Sequence, residues 1–295
     1  MDQLSAGLND RVAYVNDEYV SAKDARISIF DRGFLFADAV YEVTAVIGGK
    51  LIDFDAHMQR LERSLREIQI PNFWRIEYLR QIHERLIILN DVQEGLIYLQ
   101  ISRGEADRDF AYPPTQTRPT LVLFTQQKSI LNASLSAKGL SVIAVEDLRW
   151  GRRDIKTVQL LYPSMAKMLA RQRGADDAWL CDGDYVTEGT AQNVYIVKNK
   201  TLVTRSLSKS ILGGITRAAV LKCATGFNIE IAERAFSLAE AKSADEAFST
   251  SATTLVMPVV EIDGCTIGDG LPGPITKNLL TQYIKELVDS RSPQE

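Results

Sequence analysis

Apolar residues along this chain follow two alternating rhythms. Over residues 11–54 they cluster in short runs rich in β-branched and aromatic side chains, at 11–15, 26–30, 39–47 and 50–54, the make-up that strands favour. From about Asp55 the spacing becomes helical, with Met58, Leu61, Leu65 and Ile68 on one face. A second helix is predicted over 74–90, its apolar face lined by Tyr78, Ile82, Leu86 and Ile87. Strands return at 96–102 and 120–124.

A polar stretch at 125–136, containing Gln126, Gln127, Lys128 and Asn132, interrupts this pattern and is the best junction between domains. Beyond it the spacing predicts strands at 140–145, 177–181 and 193–197, helices at 164–174 and 215–225, and an amphipathic closing helix at 274–288. Short strands mixed irregularly with helices point to an α+β (mixed α/β) fold rather than a doubly wound parallel sheet. The expected division is an N-terminal α/β domain over 1–127, a linker over 128–136 and a C-terminal α/β domain over 137–295.

Composition narrows the function. A chain of 295 residues, 45% hydrophobic and 24% charged, can bury a substantial core and has the make-up of an ordinary globular protein. A formal net charge of −4 argues against a nucleic-acid surface and against attraction to a membrane. No apolar run approaches the ~20 residues that span a bilayer. The first residues, with Asp2, Asn9 and Asp10, lack the basic start and apolar run of a signal peptide. Cys181, Cys223 and Cys265 are scattered without metal spacing, which fits a reducing cytoplasm, and no metal is expected. With only His57 and His83 present, a multi-histidine metal centre or a Ser-His-Asp site is poorly supplied.

The candidate chemistry lies in the second half. Lys156 follows Arg149, Arg152 and Arg153. A lysine that forms imines needs its amine partly neutral at working pH, which neighbouring positive charge or desolvation supplies. About thirty residues on, Thr187-Glu188-Gly189-Thr190-Ala191-Gln192-Asn193 brings a carboxylate. Alone, a lysine near a strand end is usually a solvated charge and a Thr-Glu-Gly a simple turn. Gly213-Gly214-Ile215-Thr216 precedes an apolar helix and offers free N–H groups at its positive end, although glycines before a helix also make ordinary turns.

Four segments in order carry a resemblance: Asp31-Arg32-Gly33-Phe34-Leu35-Phe36-Ala37-Asp38-Ala39-Val40-Tyr41-Glu42-Val43; Asp154-Ile155-Lys156; Val186-Thr187-Glu188-Gly189 with Asn193; and Gly213-Gly214-Ile215-Thr216-Arg217. From about Val12 to the C-terminal helix, the chain resembles the fold type IV pyridoxal-phosphate enzymes and looks most like the D-amino acid aminotransferases. The resemblance implies two α/β domains with pyridoxal 5'-phosphate between them and a cytoplasmic homodimer. It also implies small amino acid or amine and 2-oxo acid substrates, with no nucleic-acid or membrane partner. It makes Lys156 the imine-forming base and Glu188 the partner of the cofactor's ring nitrogen. Asn193 and Thr190 shape the Glu188 loop, and Leu212 packs on the ring. Ile215, Thr216 and Arg60 hold the phosphate, and His57 either packs behind that site or is a satisfied core histidine. A third phosphate turn falls at 249–254, where Ala252 replaces a Thr common in relatives, leaving Ser251, Thr253 or a backbone amide to serve. Tyr41 and Arg108 bind the substrate carboxylate, Arg108 reaching in from the partner subunit. Phe110 stands where those enzymes have the histidine of an Arg-x-His pattern, which removes a donor and opens the pocket toward apolar groups. Tyr98 and Arg103 read as structural.

The implied reaction moves an amino group from a D-amino acid to a 2-oxo acid through an imine at Lys156. Phe110 favours an alternative, an (R)-selective amine transaminase. A branched-chain L-amino acid aminotransferase usually carries Tyr five residues after its lysine, where Leu161 stands here, followed by Tyr162. An aminodeoxychorismate lyase shares the cofactor site. Retention of both Lys156 and Glu188 speaks against a protein that only binds ligands.

Overall fold

A computed structural model describes residues 10–131 and 133–289. Asp2 and Asn9 of the start read for a signal peptide, and Asn132 of the expected junction, lie outside the described residues. The chain forms two compact units, residues 1–130 with 155–159, and residues 131–154 with 160–295. The segment carrying Lys156 therefore stands with the first unit, not with the C-terminal domain to which the sequence assigned it.

The first unit is built on a six-stranded antiparallel sheet ordered β2-β1-β6-β5-β3-β4. Its strands are β1 (Val12–Val15), β2 (Glu18–Ser21), β3 (Ala39–Ile47), β4 (Lys50–Leu51), β5 (Glu94–Ser102) and β6 (Thr120–Gln127). Strict alternation along β5 sends Ile97, Leu99 and Ile101 into the core. There they meet Met58, Leu61 and Leu65 of α2 (Phe54–Glu67) and Leu79, Ile82 and Leu86 of α3 (Ile76–Leu89). Tyr41, Tyr98 and Phe124 belong to the other alternation. Their rings stack in series, with centroids 5.5 and 4.9 Å apart.

Two expectations fail in this unit. Residues 26–30 form a loop ahead of a short helix, α1 (Arg32–Phe36), because Asp31 caps that helix by accepting a hydrogen bond from Gly33 N. Ile29 and Phe30 are consequently exposed at 69% and 52%. Tyr78 also points away from the helical core, and its hydroxyl instead bonds that of Tyr14 at 2.8 Å.

The second unit carries a nine-stranded mixed sheet. Eight strands run in the order β12-β11-β10-β13-β14-β7-β8-β9, with β15 paired to β14. They are β7 (Leu140–Glu146), β8 (Asp177–Asp182), β9 (Tyr185–Gly189), β10 (Asn193–Lys198), β11 (Thr201–Thr204), β12 (Ile231–Glu233), β13 (Glu246–Ser251), β14 (Leu255–Ile262) and β15 (Cys265–Thr266). Its helices are α4 (Ala133–Lys138), α5 (Leu161–Gln172), α6 (Ile215–Gly226), α7 (Leu238–Lys242) and α8 (Pro274–Asp289). Trp179, Val194, Ile196, Val203, Phe236, Val259 and Ile262 fill its main core. The Thr187-Glu188-Gly189 segment is strand β9, not a turn, and pairs with β8. No helix among the described residues is long and apolar enough to cross a membrane.

Leu61 is 1% exposed in the core of the first unit, so Leu61→Ala is expected to cost about 2–5 kcal/mol in urea denaturation. Leu161→Ala, at a position 75% exposed, should change stability by no more than about 0.5 kcal/mol.

Candidate active site

Lys156 lies on the loop between β7 and α5. Its backbone oxygen accepts a hydrogen bond from Tyr41 N at 3.0 Å, Val40 bridges Thr157, and Val158 N donates to Ala39 O at 3.2 Å. The loop is thus stitched to the start of β3. The Lys156 side chain is half-buried, and its ammonium sits 4.2 Å from the centre of the Tyr41 ring with no carboxylate beside it among the described residues. A lysine held against an aromatic face and free of an ion pair is available for covalent chemistry.

Beneath the same strand lies a second charged group. Glu42 is 1% exposed and receives Arg60 Nε at 2.8 Å, Arg60 Nη2 at 2.7 Å and His57 Nδ1 at 2.7 Å. Burial alone would raise the Glu42 carboxyl, but the charge and hydrogen bonds of Arg60 and His57 bring it down to about 2. His57 therefore has a definite task, tying Glu42 to α2, and Glu42 in turn fixes the Arg60 guanidinium. The sequence reading singled out Arg60 and His57 but missed Glu42. An acid at alternate register with Thr44 on a buried strand face was the available signal.

Arg108 and Phe110 sit on the loop after β5. Gly104 opens it at φ +95°, where a Cβ would lie 2.0 Å from Arg118 O, so no side chain fits. Arg32 Nη1 donates to Asp109 O at 2.6 Å and to Ala111 O at 3.3 Å, and Arg32 Nε donates to Asp38. Arg103 also grips Asp38 and donates to Gln69 O and Ile68 O, which makes it structural. The Arg108 guanidinium lies 5.5 Å from the Phe36 ring and 5.6 Å from the Phe110 ring. Phe110, 79% exposed, does more than subtract a histidine, since it gives Arg108 an aromatic neighbour. Tyr98 donates to Gln100 Oε1 at 2.8 Å, and burial raises its hydroxyl pKa.

In the second unit, Glu188 is 4% exposed and held on three sides. Its Oε1 accepts from Asn193 Nδ2 at 3.0 Å and from Leu212 N at 2.9 Å, while Oε2 accepts from Arg149 Nη1 at 2.6 Å. Burial pushes the Glu188 carboxyl above its ordinary value, with Arg149 opposing. Arg149 also donates through Nε and Nη2 to Asp147, at 2.9 and 2.8 Å, and Thr187 Oγ1 donates to Asp147 at 2.6 Å. Arg152 pairs with Asp154, and Arg153 approaches Asp147. The three arginines thus meet acids, contrary to the expectation that they present bare positive charge. Thr190 is engaged elsewhere, on Asp177 Oδ1 at 2.7 Å.

Gly214 caps α6, and a Cβ there would lie 2.0 Å from Asn193 Oδ1, so glycine is required by the side chain that steadies Glu188. The first amides of α6, those of Ile215 and Thr216, stand at the positive end of a 12-residue helix. Thr216 is buried and Leu212 half-buried. Ser251 and Ala252 begin the β13–β14 turn, where the Ser251 hydroxyl meets Thr254 Oγ1 at 2.7 Å and accepts from Thr254 N at 3.2 Å. Ser251 therefore serves its own turn.

The amino-transferase class IV family model matches residues 39–262. The chain belongs to this family. Among curated relatives, the D-alanine aminotransferase of Staphylococcus aureus (strain N315) is 36% identical over 92% of this chain and 96% of its own length. That of Bacillus licheniformis is 39% identical over 90% and 93%. Among solved structures, the Escherichia coli branched-chain amino acid aminotransferase has a TM-score of 0.87 at 23% identity, covering 97% of both chains. A second branched-chain amino acid aminotransferase, solved with pyridoxamine 5'-phosphate, has a TM-score of 0.88 at 22% identity and 97% coverage of both chains. At that identity the structures establish the fold, that of the fold type IV aminotransferases. The protein is thus a pyridoxal-phosphate-dependent aminotransferase taking amino acid and 2-oxo acid substrates. The residues present fit the cofactor: a lysine without an ion pair among the described residues, a buried carboxylate for a cationic ring nitrogen, and an N–H-lined helix end for an anion.

The Glu42 shift has a consequence for stability. Because its folded value lies below the ordinary 4.5, it contributes stability above that pH, on the order of 3 kcal/mol. The contribution is lost as pH falls from about 4.5 toward 2. Denaturant titrations should show a stability gap between the native chain and Glu42→Gln at pH 7 that closes toward pH 2.

Proposed function

We propose that this aminotransferase takes its amino group from a D-amino acid, D-alanine among them, and passes it to a 2-oxo acid. The similarity to D-alanine aminotransferases over nine-tenths of the chain supports this donor class. The observation that carries the chemistry is the ammonium of Lys156, free of ion pairs among the described residues and lying against Tyr41. Lys156 Nζ is the covalent anchor of the cofactor and, once released, the base that takes the proton from the substrate α-carbon. Bound pyridoxal phosphate supplies an electron sink for that step.

The other residues divide the remaining work. Glu188 would accept a hydrogen bond from the protonated ring nitrogen, with Asn193 and the Leu212 amide fixing its Oε1. The Leu212 side chain would pack against the ring. Arg60, steadied by Glu42, and the amides of Ile215 and Thr216 bind the phosphate. The turn at Ser251 and Ala252 adds a backbone amide rather than a hydroxyl, since Ser251 is already engaged. Tyr41 and Arg108 receive the substrate carboxylate, and Phe110 lines the substrate side chain. The chain acts as a cytoplasmic homodimer in which Arg108 crosses to the partner. Phe34, Phe110 and Tyr112, exposed at 67%, 79% and 56%, suit such a contact.

Borohydride reduction of the yellow holoenzyme should add the cofactor mass to the peptide bearing Lys156, and Lys156→Ala should lower kcat by on the order of 10⁴-fold. A half-reaction panel of D-alanine, L-leucine, (R)-1-phenylethylamine and aminodeoxychorismate should bleach the cofactor absorbance with D-alanine. Bleaching only by the (R)-amine would instead support the reading that Phe110 favours. Sedimentation should give a dimer, and an active monomer would remove Arg108 from the site.

A further inference from the structure

Glu188 has two carboxylate oxygens, and the structure uses them unequally. Oε1 is taken by two neutral donors, Asn193 Nδ2 and Leu212 N. Oε2 receives the cation Arg149 at 2.6 Å and no second donor among the described residues. Arg149 does not serve Glu188 alone, since its Nε and Nη2 are committed to Asp147. Asp147 in turn is gripped by Thr187, the residue before Glu188, and faces Arg153 at 3.3 Å. Two acids and two arginines form a charge-balanced cluster, and Arg149 joins its halves.

We propose that Arg149, anchored by Asp147, is a positioning residue that keeps the proton shared between Glu188 and the cofactor's ring nitrogen on the nitrogen. The proposal rests on Glu188 being the ring-nitrogen partner. A proton between a carboxylate and a pyridine nitrogen sits where the local field puts it. Burial favours the uncharged carboxyl, and a buried ionised carboxylate without a cation is costly. Arg149 on Oε2 stabilises the ionised form, so the proton stays on the ring and the electron sink stays deep. Asp147 tempers the guanidinium charge and fixes its direction, so that Arg149 does not act as a bare cation against the protonated ring. Without Arg149, the proton passes from the ring nitrogen to Glu188 Oε2, leaving two neutral groups. The contact is direct and short, so little of the effect is lost to solvent.

The test uses the holoenzyme reconstituted with pyridoxal phosphate labelled with ¹⁵N in the ring, and its readout is the ¹⁵N resonance at pH 7. Native protein and Arg149→Lys should both resonate at the protonated-pyridine position. Arg149→Met, or Arg149→Gln if the methionine variant does not fold, should move most of the way to the unprotonated position while still binding one cofactor per chain. An arginine that only held the loop would leave the resonance in place, so an unshifted Arg149→Met overturns the proposal. Glu188→Gln separates the two levels of argument. If it moves the resonance while Arg149→Met does not, only the role of Arg149 fails. If neither moves it, the ring-nitrogen role of Glu188 fails first.

Discussion

The Glu188 carboxylate is almost entirely removed from water, and the second unit is arranged around that fact. A buried charge is tolerated only when each lone pair meets a donor or a cation. The donors come from three separate stretches: Arg149 after β7, Asn193 at the start of β10, and the Leu212 amide before α6. Gly214 is forced by the same arrangement, because Asn193 Oδ1 occupies the space a side chain would need. The end of α6 that offers amides to an anion is thereby tied to the carboxylate suited to a ring nitrogen. Since burial raises its pKa, ionised Glu188 costs the fold stability above its ordinary titration range. Arg149 at Oε2 opposes that cost, and further positive charge beside the carboxylate would offset more of it.

Each unit solves its buried-acid problem with arginine, yet with different results. Glu42 takes a bidentate Arg60 and a histidine, which outweigh burial and bring its pKa down. Glu188 takes one nitrogen of an arginine shared with Asp147, and burial wins. The difference is physical, because two guanidinium nitrogens and an imidazole meet Glu42, whereas a single guanidinium nitrogen meets Glu188. Glu42 is thus a structural brace for Arg60, whereas Glu188 keeps a demand that a ligand can meet. A strong buried pair and a deficient one have separate uses within one chain.

How much of this the sequence disclosed follows from what side-chain periodicity can encode. Helices α2, α3, α5, α6 and α8 were legible because each carries its buried face at the helical period, and strand β3 because its run is long and rich in β-branched residues. Strands β13 and β14 escaped because nearly every position is buried, which removes alternation, and the Ser249-Thr250-Ser251 run reads as loop. Residues 26–30 carried a strand-like composition, but Asp31 committed the following residues to a helix and left Ile29 and Phe30 exposed. At the site, Lys156, Glu188, Asn193 and the Gly213-Gly214 turn were visible as motifs. The Glu42–Arg60 and Arg149–Glu188 pairs were not, since an ion pair formed across a fold leaves no local pattern. Arg149 was noticed only as charge near Lys156, and its partner thirty-nine positions along the chain changes its meaning.

The Arg108 loop shows why a departure from a family pattern need not displace the backbone. Arg32 holds Asp109 O and Ala111 O, the carbonyls on either side of Phe110. Arg103 and Asp38 lock the root of the loop, and Gly104 sets its first turn. The side chain at 110 is therefore free to change while the main chain stays fixed. A histidine there offers a donor to a carboxylate, whereas phenylalanine offers a ring face to the neighbouring guanidinium. The exposed cation that this loop presents is Arg108, whose guanidinium lies near the rings of Phe36 and Phe110. Phenylalanine gives up the donor of a histidine and adds exposed apolar surface beside Arg108. What position 110 can vary is thus the side-chain chemistry that the loop presents, not where the loop sits.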